Sequence, residues 1–290
     1  MNKEFTLSFI FITLFANNIY AYNANNKCEI LLKNGDNKKA MIAAKELDNK
    51  YDAYFCSAKA NYRMKNYAIS IDEFEKSNKY ADLPVDQLYS YLYKGIAERD
   101  SGDIETSTST LTKGLDTAAL GNSKYMQMEH RFLYQLGRNA LVAQDGLNAV
   151  EYFSKSLATS ANDDERGNSF EGLSNAYFIL NKLNSAIEFG VKASTTYQRT
   201  GKLGNYADMQ INLANYESAQ KNYTRALRII NSLENFAKKN GGRYYEAKAL
   251  ITKSQILLTQ GNKDMSLDSL NKGKAIAMSI GADDLLSSDK

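Results

Sequence analysis

The chain has 290 residues, 43% of them hydrophobic, so it is long enough to bury a sizeable core in one extended domain or in two compact ones. Its formal charge of +3 is too small to predict nucleic acid or an anionic membrane as a partner. Pro84 is the only proline, which favours a nearly all-helical chain because a proline inside a helix costs about 3 kcal/mol.

The chain opens with a segment that has the pattern of a secretory leader. Lys3 gives it a basic start, residues 5–16 form an apolar core, and residues 19–21 end in the small residue of a cleavage site. We therefore predict a signal peptide over residues 1–21, a mature chain from near Tyr22 without direct membrane binding, and a periplasmic or secreted location if the source is bacterial. The alternative is an uncleaved anchor, although the apolar run has about half of the roughly 20 residues that a bilayer crossing needs.

The stretch from Leu173 to Ala193 contains two short amphipathic segments separated by a turn at residues 181–182. Small residues at Ser174 and Ala186 allow two helices to approach closely, and apolar residues at helical spacing supply a face to bury. A single hairpin cannot bury this face alone, so neighbouring copies must stack on it. The sequence therefore predicts a helical solenoid.

Weaker copies of this pattern recur along the chain. The small residue of the second helix lies at Ala40, Ser70, Ser107, Ala149, Ala186, Ala226 and Ser266. A second small or slim residue lies twelve positions earlier, at Cys28, Ala58, Gly95, Gly137, Ser174, Ala214 and Ser254. Four positions after the small residue of the second helix, most copies have a large apolar side chain. These residues are Phe74, Leu111, Phe153, Ile230 and Leu270, whereas Ala44 and Gly190 break this rule. The paired small positions predict a close helix crossing in every copy.

Turn residues separate the two predicted helices of each copy. They lie at residues 35–36, 65–66, 102–103, 144–145, 181–182, 221–222 and 261–262. Glycine, asparagine and aspartate tolerate the backbone angles of such turns. The sharpest break between copies is residues 81–84, where Pro84 is placed to start a helix. We expect an ordinary loop there, with a subdomain hinge as the alternative, because the copies resume in phase at residues 91–97.

Residues 149–157 and 186–189 resemble the second-helix consensus of the tetratricopeptide repeat (TPR) family, and residues 173–177 resemble its first-helix consensus. The resemblance covers roughly residues 28–281. It implies an all-α fold, a right-handed α-solenoid of about seven helix-turn-helix repeats, over residues 22–281. The small second-helix residues lie 30 to 42 positions apart. Most copies therefore exceed the common repeat of 34 residues and are similar to an extended subtype of about 40.

Cys28 and Cys56 are the only cysteines. In an exported protein such a pair predicts one disulfide, here between the first helices of successive hairpins, which would stabilise the N-terminal end by about 2–4 kcal/mol. The alternative is two buried thiols.

At the other end of the chain, residues 282–290 are predicted to form a short polar tail. Solenoids usually end in a polar capping helix, and no such helix is predicted after residue 281. The last helix, predicted over residues 262–280, therefore either caps itself or meets another subunit. The C-terminal repeat is thus a candidate contact for an oligomer.

No pattern predicts catalysis, a metal site or a cofactor. His130 is the only histidine and is expected at the surface, and the cysteine spacing matches no zinc motif. No glycine-rich phosphate loop follows a predicted strand, and no pair of carboxylates stands out. Serines such as Ser174 are interpreted as packing residues. We therefore expect a protein that is not an enzyme and uses no cofactor.

Binding is the better supported function, because the first helices of such a stack line its concave face and expose one position per copy. One residue after the small first-helix position, successive copies carry Arg138, Asn175, Asn215 and Gln255, with Arg131, Tyr134 and Asn212 nearby. Such side chains can hydrogen-bond the backbone of an extended peptide without demanding its sequence. An asparagine ladder of this kind is what the resemblance to extended-repeat proteins implies. The alternative is that these asparagines bond adjacent loops.

Lys59, Arg63 and Arg99 form a more basic stretch in the N-terminal copies and are further candidates for peptide binding. The TPR family also has a carboxylate clamp for a peptide C terminus, which needs a specific lysine and asparagine set in adjacent copies. Ile96 stands at the place that follows Lys59 in the next copy. No clamp is therefore predicted.

Three functions follow as hypotheses. The main one is a non-enzymatic protein–protein interaction scaffold of the bacterial cell envelope, which binds a peptide segment or partner protein in its concave groove. The alternative is a ligand-responsive sensory or regulatory TPR module. The third is an enzyme whose site no motif reveals.

Overall fold

The computed structural model describes residues 26–286. The predicted signal peptide at residues 1–21 and residues 287–290 of the predicted tail lie outside the described residues. Residues 26–286 form fourteen α-helices and two 3₁₀ helices and contain no β-strand. The predicted all-α fold is confirmed.

The chain divides into two compact units, of which the first ends at Tyr125 and the second begins at Met126. The first unit contains three hairpins: α1 (Lys27–Lys33) with α2 (Asn37–Ala44), α3 (Lys50–Arg63) with α4 (Tyr67–Lys79), and α5 (Pro84–Asp100) with α6 (Ile104–Ala119). A 3₁₀ helix (Asn122–Tyr125) follows α6. Pro84 begins α5 inside this unit, as expected for an ordinary loop between repeats.

The second unit contains four further hairpins of consecutive helices. They are α7 (Met126–Val142) with α8 (Gly146–Ala158), α9 (Asp163–Ile179) with α10 (Leu183–Arg199), α11 (Leu203–Ala219) with α12 (Tyr223–Lys239), and α13 (Arg243–Thr259) with α14 (Lys263–Ile280). A second 3₁₀ helix (Asp283–Leu285) follows α14. Each hairpin corresponds to one predicted copy of the repeat.

The two helices of each hairpin cross at the predicted small residues, and every member of both sets is buried. In four hairpins a serine hydroxyl at the crossing donates to the backbone carbonyl of the partner position, twelve residues away. These bonds join Ser70 to Ala58, Ser107 to Gly95, Ser174 to Ala186 and Ser266 to Ser254, at 2.6 to 2.9 Å. The predicted close crossing is confirmed, and Ser174 is a packing residue.

The predicted turns also lie where the pattern places them. The first residue of each has a positive φ angle: Gly35, Lys65, Gly102, Gln144, Asn181, Lys221 and Gly261. Lysine and glutamine seldom adopt this left-handed conformation. The packing of the two helices therefore overrides the local preference of the turn residue.

Bulky residues of the second helices occupy space that glycines leave open. Phe153 is fully buried, and its ring lies against Gly137 of the partner helix and Gly172 of the next first helix. A Cβ atom at Gly137 would come within 2.8 Å of this ring. Glycine is required there because the aromatic ring touches the helix backbone.

Cys28 of α1 and Cys56 of α3 form a disulfide, with their Cα atoms 6.3 Å apart. Both residues are fully buried, in a cluster with Leu32 and Ala40. The bond ties the shortest hairpin, whose helices have 7 and 8 residues, to the next one. Small alanine side chains supply much of this cluster, so the covalent link adds to limited apolar burial.

The segment after α14 folds back over the last hairpin. Gly281 ends the helix in the left-handed conformation, at a φ of 67°. Ala282 and Leu285 then enter a buried cluster with side chains of α13 and α14, namely Ala247, Ile251 and Ala277. The start of the predicted polar tail thus contributes apolar side chains that cover the end of the repeat.

We predict that Gly137→Ala lowers the free energy of unfolding by about 1–3 kcal/mol, because the added methyl group meets the Phe153 ring in a filled core. Denaturant unfolding measures this loss. In a Phe153→Leu background the same substitution should cost much less, since the smaller side chain leaves room. An equal cost in both backgrounds would show that the ring is not what excludes a side chain at residue 137.

Candidate peptide-binding surface

The four residues of the predicted polar row lie on the four first helices of the second unit, one on each of α7, α9, α11 and α13. Arg138, Asn215 and Gln255 are exposed, whereas Asn175 is half-buried. Each residue follows the buried small residue of its helix by one position. One residue is about 100° of rotation around a helix. The crossing therefore turns each member of the row away from its own second helix.

A tyrosine on the next first helix fixes the orientation of the Asn175 side chain. The Tyr216 hydroxyl of α11 donates to Asn175 Oδ1 at 2.7 Å. Tyr216 is buried, and its ring stacks on Phe178 of α9 with centroids 4.7 Å apart. Since the amide oxygen accepts this bond, the Asn175 amide group points its N–H donors elsewhere. Asn175 is thus arranged as a donor.

An apolar edge runs beside the polar row, three residues further along each helix. It consists of Leu141, Phe178 and Leu258, with Ser218 at the corresponding place on α11. Phe178 has 41% and Leu258 56% of its surface exposed. Exposed apolar side chains at a fixed register provide contact surface for apolar groups of a ligand.

A charged edge lies on the other side of the row, two helical turns before it. It consists of Arg131, Asp208 and Lys248, with the uncharged Asn168 at the corresponding place on α9. The Lys248 ammonium group bonds Asp208 Oδ1 at 2.7 Å, and the Tyr245 hydroxyl donates to Asp208 Oδ2 at 3.2 Å. These bonds connect α11 to α13. The surface therefore has a charged side and an apolar side, separated by the polar row.

Glu171 lies between the charged edge and the polar row, and its surroundings favour the neutral carboxyl group. Burial is the largest effect that raises its pKa, and the nearby Asp208 carboxylate raises it further. The Tyr197 hydroxyl, which donates to Glu171 Oε2 at 2.5 Å, and the Arg138 guanidinium act in the opposite direction. Burial thus outweighs the Tyr197 hydrogen bond and the attraction of Arg138, and the pKa of Glu171 stays above its usual value.

Glu171, Phe178 and Tyr216 are not among the residues predicted for this site. Glu171 and Phe178 lie four residues before and three residues after Asn175, a spacing that places all three on one helix face. That spacing was available in the sequence. Tyr216 is 41 residues away from Asn175. Nothing in the local pattern connects those two side chains.

The remaining candidates of the second unit lie on the same first helices. Arg131 is exposed on α7, and Asn212 is half-buried on α11. Tyr134 is also half-buried, because its ring packs against Phe153 at a centroid distance of 5.7 Å. The Tyr134 ring is therefore partly used in the core.

The basic residues predicted for peptide binding in the first unit differ from this surface. Arg99 is 5% exposed, so its prediction as a ligand contact is wrong; its guanidinium Nε bonds Asp100 at 3.0 Å. The Lys59 side chain is 16% exposed and forms an ion pair with buried Glu29 at 2.8 Å. Arg63 is exposed but donates to the Leu32 carbonyl. Spacing places these residues on first helices but does not reveal their partners.

The prediction that His130 lies at the surface is wrong. His130 is 4% exposed, and its Nδ1 atom lies 2.8 Å from the Ser156 carbonyl oxygen and 3.2 Å from the Ser156 hydroxyl. Ser156 in turn bonds the Ser169 hydroxyl at 2.9 Å. The histidine therefore closes a polar contact between packed helices, because a carbonyl at the end of α8 needs a donor.

Within residues 26–286 no group of three or more histidine, cysteine, aspartate or glutamate side chains could hold a metal ion. Among the helices of that same range, none is both long and apolar enough to cross a membrane.

We predict that Tyr197→Phe raises the pKa of Glu171 further, because the hydroxyl bond that favours the carboxylate is lost. A carboxyl group with a raised pKa in the folded state destabilises the fold as the pH rises through that pKa. The loss of unfolding free energy should therefore be larger at pH 8 than at pH 4. Carbon-13 titration of the Glu171 carboxyl and denaturant unfolding at both pH values measure the two effects.

Tyr206→Phe is the matched control, because the Tyr206 ring packs on Phe236 in the same unit. Its cost should not change between the two pH values. A cost of Tyr197→Phe that is also independent of pH would contradict the proposed link to Glu171.

Solved structures that are similar to this chain are helical repeat proteins. A signal-transduction ATPase with numerous domains and a tetratricopeptide repeat sensor, from Pyrococcus horikoshii, aligns at a TM-score of 0.73 and 15% identity over 89% of this chain; the alignment spans 42% of that protein's length. TPR-like repeats of a kinesin light chain from Podospora anserina align at 0.60 and 15% identity, over 68% of this chain and 97% of that one.

A third similar structure is the Rap conjugation gene regulator of the plasmid pLS20 in complex with the Phr* peptide. It aligns at a TM-score of 0.58 and 13% identity, over 91% of this chain and 75% of that one. No family model matches the chain, and no curated protein matches it in sequence. At these identities the likeness concerns the fold alone. The chain therefore has a TPR-like helical repeat fold.

Proposed function

We propose that this protein is a non-enzymatic interaction module that binds an extended peptide segment of a partner protein on the first-helix surface of its second unit. The observation that carries the proposal is the polar row, which offers one polar side chain per hairpin on four consecutive first helices. An extended peptide exposes N–H and C=O groups along its whole length. Regularly spaced amides can satisfy these groups whatever the peptide sequence.

The fixed orientation of Asn175 determines that the polar row offers a hydrogen-bond donor at this position. Because Tyr216 occupies Oδ1, Asn175 donates to a peptide carbonyl. Such pre-orientation favours affinity, since the side chain has less conformational freedom to lose on binding. The ligand backbone is then bound at Asn175 by a donor that needs no rearrangement.

The two edges supply selectivity among peptides. Apolar side chains of the ligand contact Phe178 and Leu258, whereas polar or charged side chains face the Asp208 and Lys248 pair. The similarity to a repeat regulator that was crystallised with a peptide supports this type of ligand.

The second candidate function is a ligand-responsive regulatory module. Two similar structures, a protein with a repeat sensor and a conjugation gene regulator, favour it. In that case peptide binding changes the arrangement of the helices, and small-angle scattering detects a change in radius of gyration. A scaffold binds the same peptide with an unchanged radius of gyration.

We also propose that the protein works in the bacterial cell envelope, where its partner is an envelope component. The leader pattern of residues 1–21 and the buried Cys28–Cys56 disulfide support an oxidising, extracytoplasmic location. N-terminal sequencing of the protein from fractionated cells tests this, with a start near Tyr22 as the expected result. Recovery of the unprocessed chain from the cytosol would contradict the location but not the peptide-binding surface.

We predict that Asn175→Ala combined with Asn215→Ala weakens peptide binding by about tenfold to a hundredfold, because two backbone hydrogen bonds are lost. Asn175→Ala also removes the acceptor of the buried Tyr216 hydroxyl, so the unfolding free energy of the double variant is measured beside its affinity. Ligands of the wild-type protein are selected from a displayed library of random peptides. Isothermal titration calorimetry then measures the affinity of the wild type and of each variant for the best of these peptides.

The control is Asn231→Ala with Asn235→Ala, which alters two exposed asparagines on the second helix α12. This control should bind like the wild type. Tyr216→Phe should also weaken binding while both asparagines remain, because the Asn175 amide loses its fixed orientation. Retention of full affinity by the Asn175 and Asn215 double variant would rule out the polar row as the site.

A further inference from the structure

The outer face of the second helices shows a repeated ion pair. In four hairpins the residue two positions after the buried small residue is acidic, and a lysine four residues later pairs with it at 2.6 Å. The pairs are Asp72 with Lys76, Glu151 with Lys155, Glu188 with Lys192, and Asp268 with Lys272. Spacing of four residues places both partners on one helix face, so the charges cancel locally.

Two of the other hairpins carry an uncharged residue at the acidic position, Ile42 and Ser109, and only the α11–α12 hairpin carries the opposite charge there. At the acidic position it carries Arg228, and at the lysine position it carries Ser232. Arg228 makes no ion pair with any carboxylate of residues 26–286. Neither the helix crossing nor the turn requires an arginine here, because acidic residues occupy the same place in other hairpins. The charge at this position is reversed without a structural reason.

Arg228 lies in a basic cavity at the turn end of this hairpin, which is wide open to solvent because every residue that lines it except Tyr223 is exposed. The cavity has a volume of about 600 Å³ and is lined by Lys221, Asn222, Tyr223, Thr224, Arg225, Arg228 and, from the end of α13, Gln260. Arg225 bonds the nearest carboxylate, Glu217, at 3.3 Å. Glu217 is 2% exposed and also accepts from Asn222. This one buried carboxylate leaves most of the positive charge of the cavity without a counterion.

We propose that this cavity binds a doubly charged oxyanion, a phosphate or sulfate group. Arginine guanidinium groups bind such oxyanions with two parallel hydrogen bonds each, and a lysine adds a further charge. The Thr224 hydroxyl and the Gln260 amide supply neutral donors to the remaining oxygens. The three cationic side chains line one cavity, which suits a compact group with more than one charge. The group is either a free ion or part of a lipid head group.

The site is separate from the peptide-binding surface. Arg225 and Arg228 belong to the second helix of their hairpin, whereas Asn215 belongs to the first. Failure of one proposal therefore leaves the other intact.

The test is a proton–nitrogen NMR titration of the whole protein with sodium phosphate and with sodium sulfate, at constant ionic strength against sodium chloride. Shifts should saturate in the millimolar range and be confined to residues 221–228 and Gln260. Arg228→Glu should weaken binding at least tenfold, and it should fold normally because Glu151 and Glu188 occupy the same place in their hairpins. Lys239→Glu makes the same charge change at an exposed position near the other end of α12 and should bind like the wild type.

Flotation with vesicles of phosphatidylcholine alone or with phosphatidic acid, whose phosphomonoester can carry two charges, distinguishes the two sources. Binding to the anionic vesicles that depends on Arg228 identifies the group as a lipid phosphate, and saturable binding of the free ions alone identifies it as a soluble ion. The proposal is overturned if neither ions nor vesicles bind, or if Arg228→Glu and Lys239→Glu weaken binding equally.

Discussion

The contact on which this structure depends is the crossing of two helix backbones inside each hairpin. Side chains no larger than those of alanine, serine or cysteine occupy both sides of the crossing, and serine hydroxyls at four crossings bond the opposite carbonyl. The hydroxyl satisfies its own hydrogen bond without widening the gap, which explains why serine replaces alanine or glycine freely. The crossing also sets the rotation of every first helix about its axis, and through that rotation the face that it exposes.

The polar row follows from this constraint. A residue next to the crossing cannot face its own second helix, so in the second unit Arg138, Asn175, Asn215 and Gln255 share one face by geometry. In the first unit the same register leads to a different outcome. There Glu29 and Lys59 neutralise each other in a mostly buried pair. A common register therefore determines where a side chain points, while the neighbouring residues determine whether it remains available to a ligand.

The sequence predicts the repeated features of this protein well, because they depend on short separations. The paired small residues lie twelve positions apart, and the turns lie between them. The repeat spacing therefore predicts turns even at Lys65 and Gln144, whose residue types do not favour a turn. The errors concern burial. Arg99 is buried although its partner Asp100 is the next residue, because the packing of neighbouring helices covers it. His130 bonds Ser156, 26 residues away, and helix periodicity contains no information about so distant a partner. The bond from Tyr216 to Asn175 is beyond local reasoning for the same reason.

The central claim is that the crossings align the four first helices of the second unit so that the polar row is continuous. Pulsed electron paramagnetic resonance between spin labels at position 138 and at positions 175, 215 and 255 tests it directly, with the disulfide left intact. The distance from position 138 should increase in that order, by about 10 Å per hairpin, the spacing of packed helices. A label at position 255 that is as close to position 138 as the label at 175, or distances in another order, would contradict the account.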